Sequence, residues 1–167
     1  MRLFSALLLS LIGVAIAAPA GSKKNVYLAT CTTRGPECSI PILCSSLDNT
    51  SPSDTAAAET FSAVIYYNGP AKSRSSPTDV GTVSSPSRPW EGATRRASLD
   101  IAGAFEGKID ADAAALSKSQ IAGSAKLGKE ELVCFKDGEA TFKFGEGLLA
   151  LRSVNCRADY WCGSISV

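Results

Sequence analysis

Six cysteines in two groups of three constrain this chain more than any other feature. Cys31, Cys38 and Cys44 lie near its start, and Cys134, Cys156 and Cys162 lie near its end. Each group is odd in number, so full pairing requires at least one bridge between the two ends. Such a bridge closes about 130 residues and restrains the unfolded chain by roughly 4–5 kcal/mol on the loop-entropy model. Six cysteines allow fifteen connectivities, and spacing alone does not choose among them. The expected set is Cys31–Cys162, Cys134–Cys156 and Cys38–Cys44. Zinc is not expected in place of bridges, because the chain has no Cys-x-x-Cys pair and no histidine.

Bridging presupposes an oxidising compartment, and the N-terminus supplies the reason to expect one. Arg2 precedes an apolar run from Leu3 to Ala17 that ends in the small-x-small triplet Ala15-Ile16-Ala17. The run is too short for a spanning helix and has the form of a secretory signal peptide over residues 1–17. The mature protein is then secreted and extracellular, with no membrane segment after cleavage. Lys23-Lys24 offers a second cut, so the mature chain starts at Ala18 or at Asn25. Residues 18–24 read as a flexible segment and 25–167 as a single domain. Cleavage removes Arg2 and no acid, which leaves 16 basic against 16 acidic residues. That balance does not fit a nucleic-acid footprint.

Strand signals dominate the remainder. Asn25–Cys31 and Phe61–Tyr67 alternate with a period of two and are rich in aromatic and β-branched residues. Weaker runs cover Val80–Ser84, Ala97–Ile101 and Ala104–Asp110. Further runs cover Ile121–Leu127, Glu131–Lys136, Ala140–Phe144, Leu148–Val154 and Tyr160–Val167. Asp137-Gly138 between two of them reads as a hairpin turn. Asp110–Leu116, rich in alanine behind a capping Asp, predicts one short helix near 110–118. The expected fold is all-β: a compact, disulfide-stapled antiparallel barrel or sandwich of about nine short strands.

The absence of histidine removes Ser-His-Asp and Cys-His machinery and histidine metal sites. A carboxylate pair is the apparatus left for a hydrolase. Glu91, Asp100, Glu106, Asp110 and Asp112 are the candidates, and none sits in a recognisable motif. The chain therefore reads as non-catalytic, with no cofactor and no metal. Ser87-Arg88-Pro89-Trp90-Glu91-Gly92 is the most distinctive segment. Trp90 is either an exposed binding anchor or a plug at one barrel end. Arg88, Arg95 and Arg96 place positive charge beside it, and Trp and Arg are enriched at binding hot spots. Tyr66 and Tyr67 point to opposite faces of one strand, so one of them is expected to face solvent or a partner. Trp161, beside Cys162, reads as core packing. Asn49-Thr50-Ser51 is a glycosylation sequon, followed at once by Pro52, which reduces its use.

Several of these segments together carry a family resemblance. They are Val26–Cys31, Phe61–Tyr67, Arg88–Gly92, Ser117–Ser124, Val133-Cys134-Phe135 and Asp159–Cys162. In them the chain resembles a family of small secreted cysteine-containing proteins of filamentous ascomycete fungi. The resemblance implies a β-barrel, often a homodimer, like that of the major Alternaria allergen and related plant-defence elicitors. It also implies an effector-like role: binding a host extracellular protein or cell-wall component and modulating plant defence. A wall carbohydrate binder or small glycan-active enzyme is the alternative, and a protease inhibitor a further one.

Overall fold

The computed structural model describes residues 24–34, 58–69, 76–146 and 152–164. The expected signal peptide, the expected Cys38–Cys44 pairing and the Asn49 sequon lie outside them.

Nine strands run in chain order: β1 (Asn25–Arg34), β2 (Glu59–Tyr67), β3 (Asp79–Ser84), β4 (Thr94–Leu99) and β5 (Gly103–Ile109) are followed by β6 (Ile121–Leu127), β7 (Glu130–Lys136), β8 (Thr141–Glu146) and β9 (Arg152–Ser164). Eight of them pair in the order β3-β2-β1-β9-β7-β6-β5-β4, and β8 pairs with β9 beside this path. Every paired strand is antiparallel. The sheet curls into a nearly closed barrel, in which β3 and β4 end the ladder and meet without sharing one. Gly81 makes that approach possible, since a Cβ there would lie 2.8 Å from the Ser98 carbonyl oxygen.

Alternation sorts the side chains onto two faces, and both are buried in places. Val26, Leu28, Val64, Tyr66, Phe105, Leu132 and Tyr160 belong to the interior cluster. Ala29, Cys31, Ile65, Tyr67, Phe142, Val154 and Cys156 form a second cluster on the opposite face of β1, β2, β8 and β9. A register shift between Leu28 and Ala29 makes Asp159 a bulge residue on β9.

Four expectations are corrected here. The bridges are Cys31–Cys156 and Cys134–Cys162, not Cys31–Cys162 and Cys134–Cys156. The register sets Cys31 directly opposite Cys156, and Cys134 directly opposite Cys162. Cys31 and Cys162 sit on opposite faces of the wall, so no side-chain geometry joins them. The Cys31–Cys156 bridge does tie the two ends of the chain, as the odd grouping required.

The helix near 110–118 is only a 3-10 turn at Ala113–Ala115, with no side-chain cap from Asp112. So short an alanine run does not repay helix nucleation without a broader packed face. Asp137-Gly138 is not a hairpin turn. β7 and β8 do not pair with each other; they lie end to end along β9, and Gly138 (φ +96°) makes the step between them. The described parts of the two runs expected at 148–154 and 160–167 belong in turn to one long strand, β9 (Arg152–Ser164). In it Asn155, Arg157 and Asp159 alternate with buried Val154, Cys156 and Ala158.

Candidate functional site: an aromatic cleft on the barrel wall

The most distinctive sequence segment lies across one barrel end and is clamped from several sides. Ser87 N–H donates to the Thr60 carbonyl at 3.0 Å. The Ser62 hydroxyl, buried on β2, accepts from Arg88 N–H at 3.0 Å and donates to the Arg88 carbonyl at 3.1 Å. Arg95 donates from Nε and Nη2 to the Pro89 carbonyl at 3.1 and 2.6 Å. Gly92 N–H donates to the Ile109 carbonyl, and the Tyr160 hydroxyl donates to the Glu91 carboxylate.

The clamps drive Trp90 inward. It is 3% exposed and packs in the interior cluster. Trp90 is therefore the plug and not an exposed anchor. Its indole Nε1–H is buried without a hydrogen-bond partner.

Tyr66 and Tyr67 do point to opposite faces, but neither faces solvent: they are 5% and 4% exposed. Tyr66 enters the interior cluster and Tyr67 the second one, because β2 is covered on both sides. Tyr67 meets Tyr27 edge-on at 6.0 Å, and burial raises its pKa.

The three arginines do come together. Arg88, Arg95 and Arg96 line one cleft of about 330 Å³ at the β3–β4 seam. The five candidate carboxylates do not. Glu91 and Glu106 line different clefts, and Asp100, Asp110 and Asp112 are exposed. Glu91 shares its cleft with Asp159, whose carboxylate accepts from the Thr30 hydroxyl at 2.7 Å. Among the described residues no group of three or more His, Cys, Asp or Glu is placed to hold a metal ion.

The aromatic surface lies elsewhere. Tyr27 on β1, Trp161 on β9 and Phe135 on β7 are register partners and form a row across three strands of the outer wall. All three are half-buried. Phe135 and Trp161 stack with centroids 5.2 Å apart and planes 25° from parallel. Trp161 Nε1–H donates to Asn25 Oδ1 at 3.1 Å, which fixes the indole's orientation. Desolvation raises the Tyr27 phenol to a pKa of about 12, with Asp137 adding to the shift.

This row lines a cleft of about 510 Å³ whose remaining wall is Lys118, Ser119, Lys136 and Asp137. Ser119 has φ +68°, a left-handed conformation that is uncommon for a residue with a Cβ. It is held there by its N–H bond to the Lys136 carbonyl at 2.8 Å. Asp137 Oδ1 caps the turn by accepting from Glu139 and Ala140 N–H groups. Lys118 pairs with Glu139 at the exposed rim.

Flat apolar rings beside a few charged and hydroxyl groups are the ordinary lining of a ligand pocket. Trp161 is half-buried on the outer wall and not in the core, unlike its neighbours Tyr160 and Cys162. Cys162 faces inward, so strict alternation sends both Trp161 and Phe135 outward, and that signal was available in the sequence. Compared with protein-family models, curated proteins and solved structures, the chain matches none.

Proposed function

We propose that the protein is a secreted, non-catalytic, effector-like recognition protein of the fungal kind it resembles. It binds a host or apoplastic component and so modulates plant defence. The observation that carries this reading is the cleft lined by Tyr27, Phe135 and Trp161. Aromatic anchors in a half-buried setting supply much of the energy of protein recognition. The two cross-strand disulfides accord with an extracellular life.

The test is affinity capture on the mature, oxidised protein. Apoplastic fluid and wall polysaccharides are passed over wild type, Trp161→Ala, Phe135→Ala and Trp90→Phe. The reading expects retention by wild type and Trp90→Phe and its loss in the other two, with their melting temperatures checked separately. Equal retention by all four proteins removes the cleft from the account.

A wall-carbohydrate ligand is the second reading. It is favoured by the same rings lying beside Lys118, Ser119 and Asp137, since sugars stack on aromatic surfaces and hydrogen-bond to polar neighbours. Retention from the polysaccharide fraction alone selects it. Light scattering distinguishes a third occupant, a second copy of the chain.

A further inference from the structure

The seam between β3 and β4 holds a separate site. At Gly81 the two strands pass so close that a Cβ there would lie 2.8 Å from the Ser98 carbonyl oxygen. Farther along the seam lies the cleft of about 330 Å³ lined by Ser84, Ser85, Arg88, Thr94, Arg95 and Arg96. No carboxylate lines it.

The charges in this cleft are only partly answered by the protein. Arg88 is anchored through its backbone to Ser62, and its exposed guanidinium has no partner among the described residues. Arg95 spends two N–H groups on a neutral carbonyl, that of Pro89, so its charge is not cancelled. Only Arg96 has an anionic partner, Glu106 at 2.7 Å, and that pair is exposed and weak. The Ser84 hydroxyl, which also lines the cleft, is buried with no hydrogen-bond partner. A buried polar atom left unpaired is costly, and native structures rarely keep one without a reason.

We propose that this cleft binds the oxyanion of an acidic sugar, a uronate carboxylate or a sulfate ester. Guanidinium forks match such planar or tetrahedral oxyanions in a bidentate way. The exposed Ser85 and Thr94 hydroxyls suit the ring hydroxyls around the anion. An acidic peptide added as a strand does not fit, because neighbouring strands need about 4.8 Å between them and the seam is closed at Gly81. The site is distinct from the aromatic cleft and stands whether or not that cleft has a ligand.

Titration calorimetry on the oxidised protein tests this. The probes are oligogalacturonate, a sulfated oligosaccharide, a neutral cello-oligosaccharide and polyglutamate. One acidic saccharide is expected to bind, more weakly as salt rises, and the arm that responds identifies the anion. Arg88→Ala and Arg88→Gln are expected to weaken that binding at least tenfold with unchanged melting, while Trp161→Ala retains it. The proposal is overturned if neither acidic saccharide binds, if both Arg88 variants bind like wild type, or if polyglutamate binds equally well.

Discussion

Trp90 offers the sharpest stability test, because its ring and its N–H act in opposite directions. The ring fills the barrel end at 3% exposure, and the N–H is buried unpaired. Trp90→Ala removes the whole plug, and large-to-small changes of this kind cost about 3–5 kcal/mol. Trp90→Phe leaves most of the plug in place. The lost volume is on the order of 40 Å³, which at about 24 cal/mol per Å³ costs about 1 kcal/mol. The same change deletes an unsatisfied buried donor, which relieves about 1–3 kcal/mol. Trp90→Phe is therefore expected within about 1 kcal/mol of wild type, or more stable than it. Urea unfolding of the oxidised protein, followed by far-ultraviolet circular dichroism, measures both variants with the slope as a check on two-state behaviour. If Trp90→Phe loses as much as Trp90→Ala, the indole N–H makes a bond that the geometry does not contain. If Trp90→Ala leaves the midpoint unmoved, Trp90 is no plug.

Other outcomes follow from the same structure. Removing Cys31–Cys156 as a double alanine variant should cost more than removing Cys134–Cys162, because their separations are 125 and 28 residues. Loop entropy sets the two at about 4.9 and 3.6 kcal/mol, read from urea midpoints, and the reverse order would contradict an unfolded-state origin. The Tyr27 phenol, raised in the fold to about 12, contributes stability that is complete below its unfolded pKa near 10. That contribution is lost as pH rises from about 10 to 12, so Tyr27→Phe should flatten the alkaline fall in melting temperature over this window. Gly81→Ala places a Cβ 2.8 Å from the Ser98 carbonyl oxygen and must push the seam apart. A loss of about 1–3 kcal/mol is expected by thermal melting, with faster amide exchange in β3 and β4.

The period-2 signal was strong enough to place most strands, because alternation of buried and exposed residues is what a barrel wall demands. Ile121–Leu127 lies where its pattern puts it, and so does Phe61–Tyr67, although every residue of that run is buried because β2 is covered on both faces. Long-range pairing was not legible. The cysteine partners depend on which residues of β1, β7 and β9 lie opposite each other, and nothing local encodes that register. The Asp137-Gly138 turn shows the same limit: its chemistry is local, but whether the flanking strands pair with each other or with β9 is decided elsewhere. The arginine cleft was half visible. Arg88, Arg95 and Arg96 are near one another in sequence, whereas Ser84 joins them only because β3 and β4 meet. Trp90 was the reverse case, a sequence-prominent residue turned inward by Ser62, Arg95 and Tyr160, which no local pattern reveals.

The central claim is that recognition runs through Trp161 and not through Trp90. The chain has two tryptophans, so a ¹⁵N-labelled sample carries two indole N–H signals, assigned with Trp90→Phe and Trp161→Phe. The measurement is a titration of this sample with the apoplastic protein or wall polymer that wild type retains and Trp161→Ala does not. The Trp161 indole signal is expected to shift or broaden with added ligand while the Trp90 signal stays in place. A Trp90 signal that moves while Trp161 remains still would contradict it.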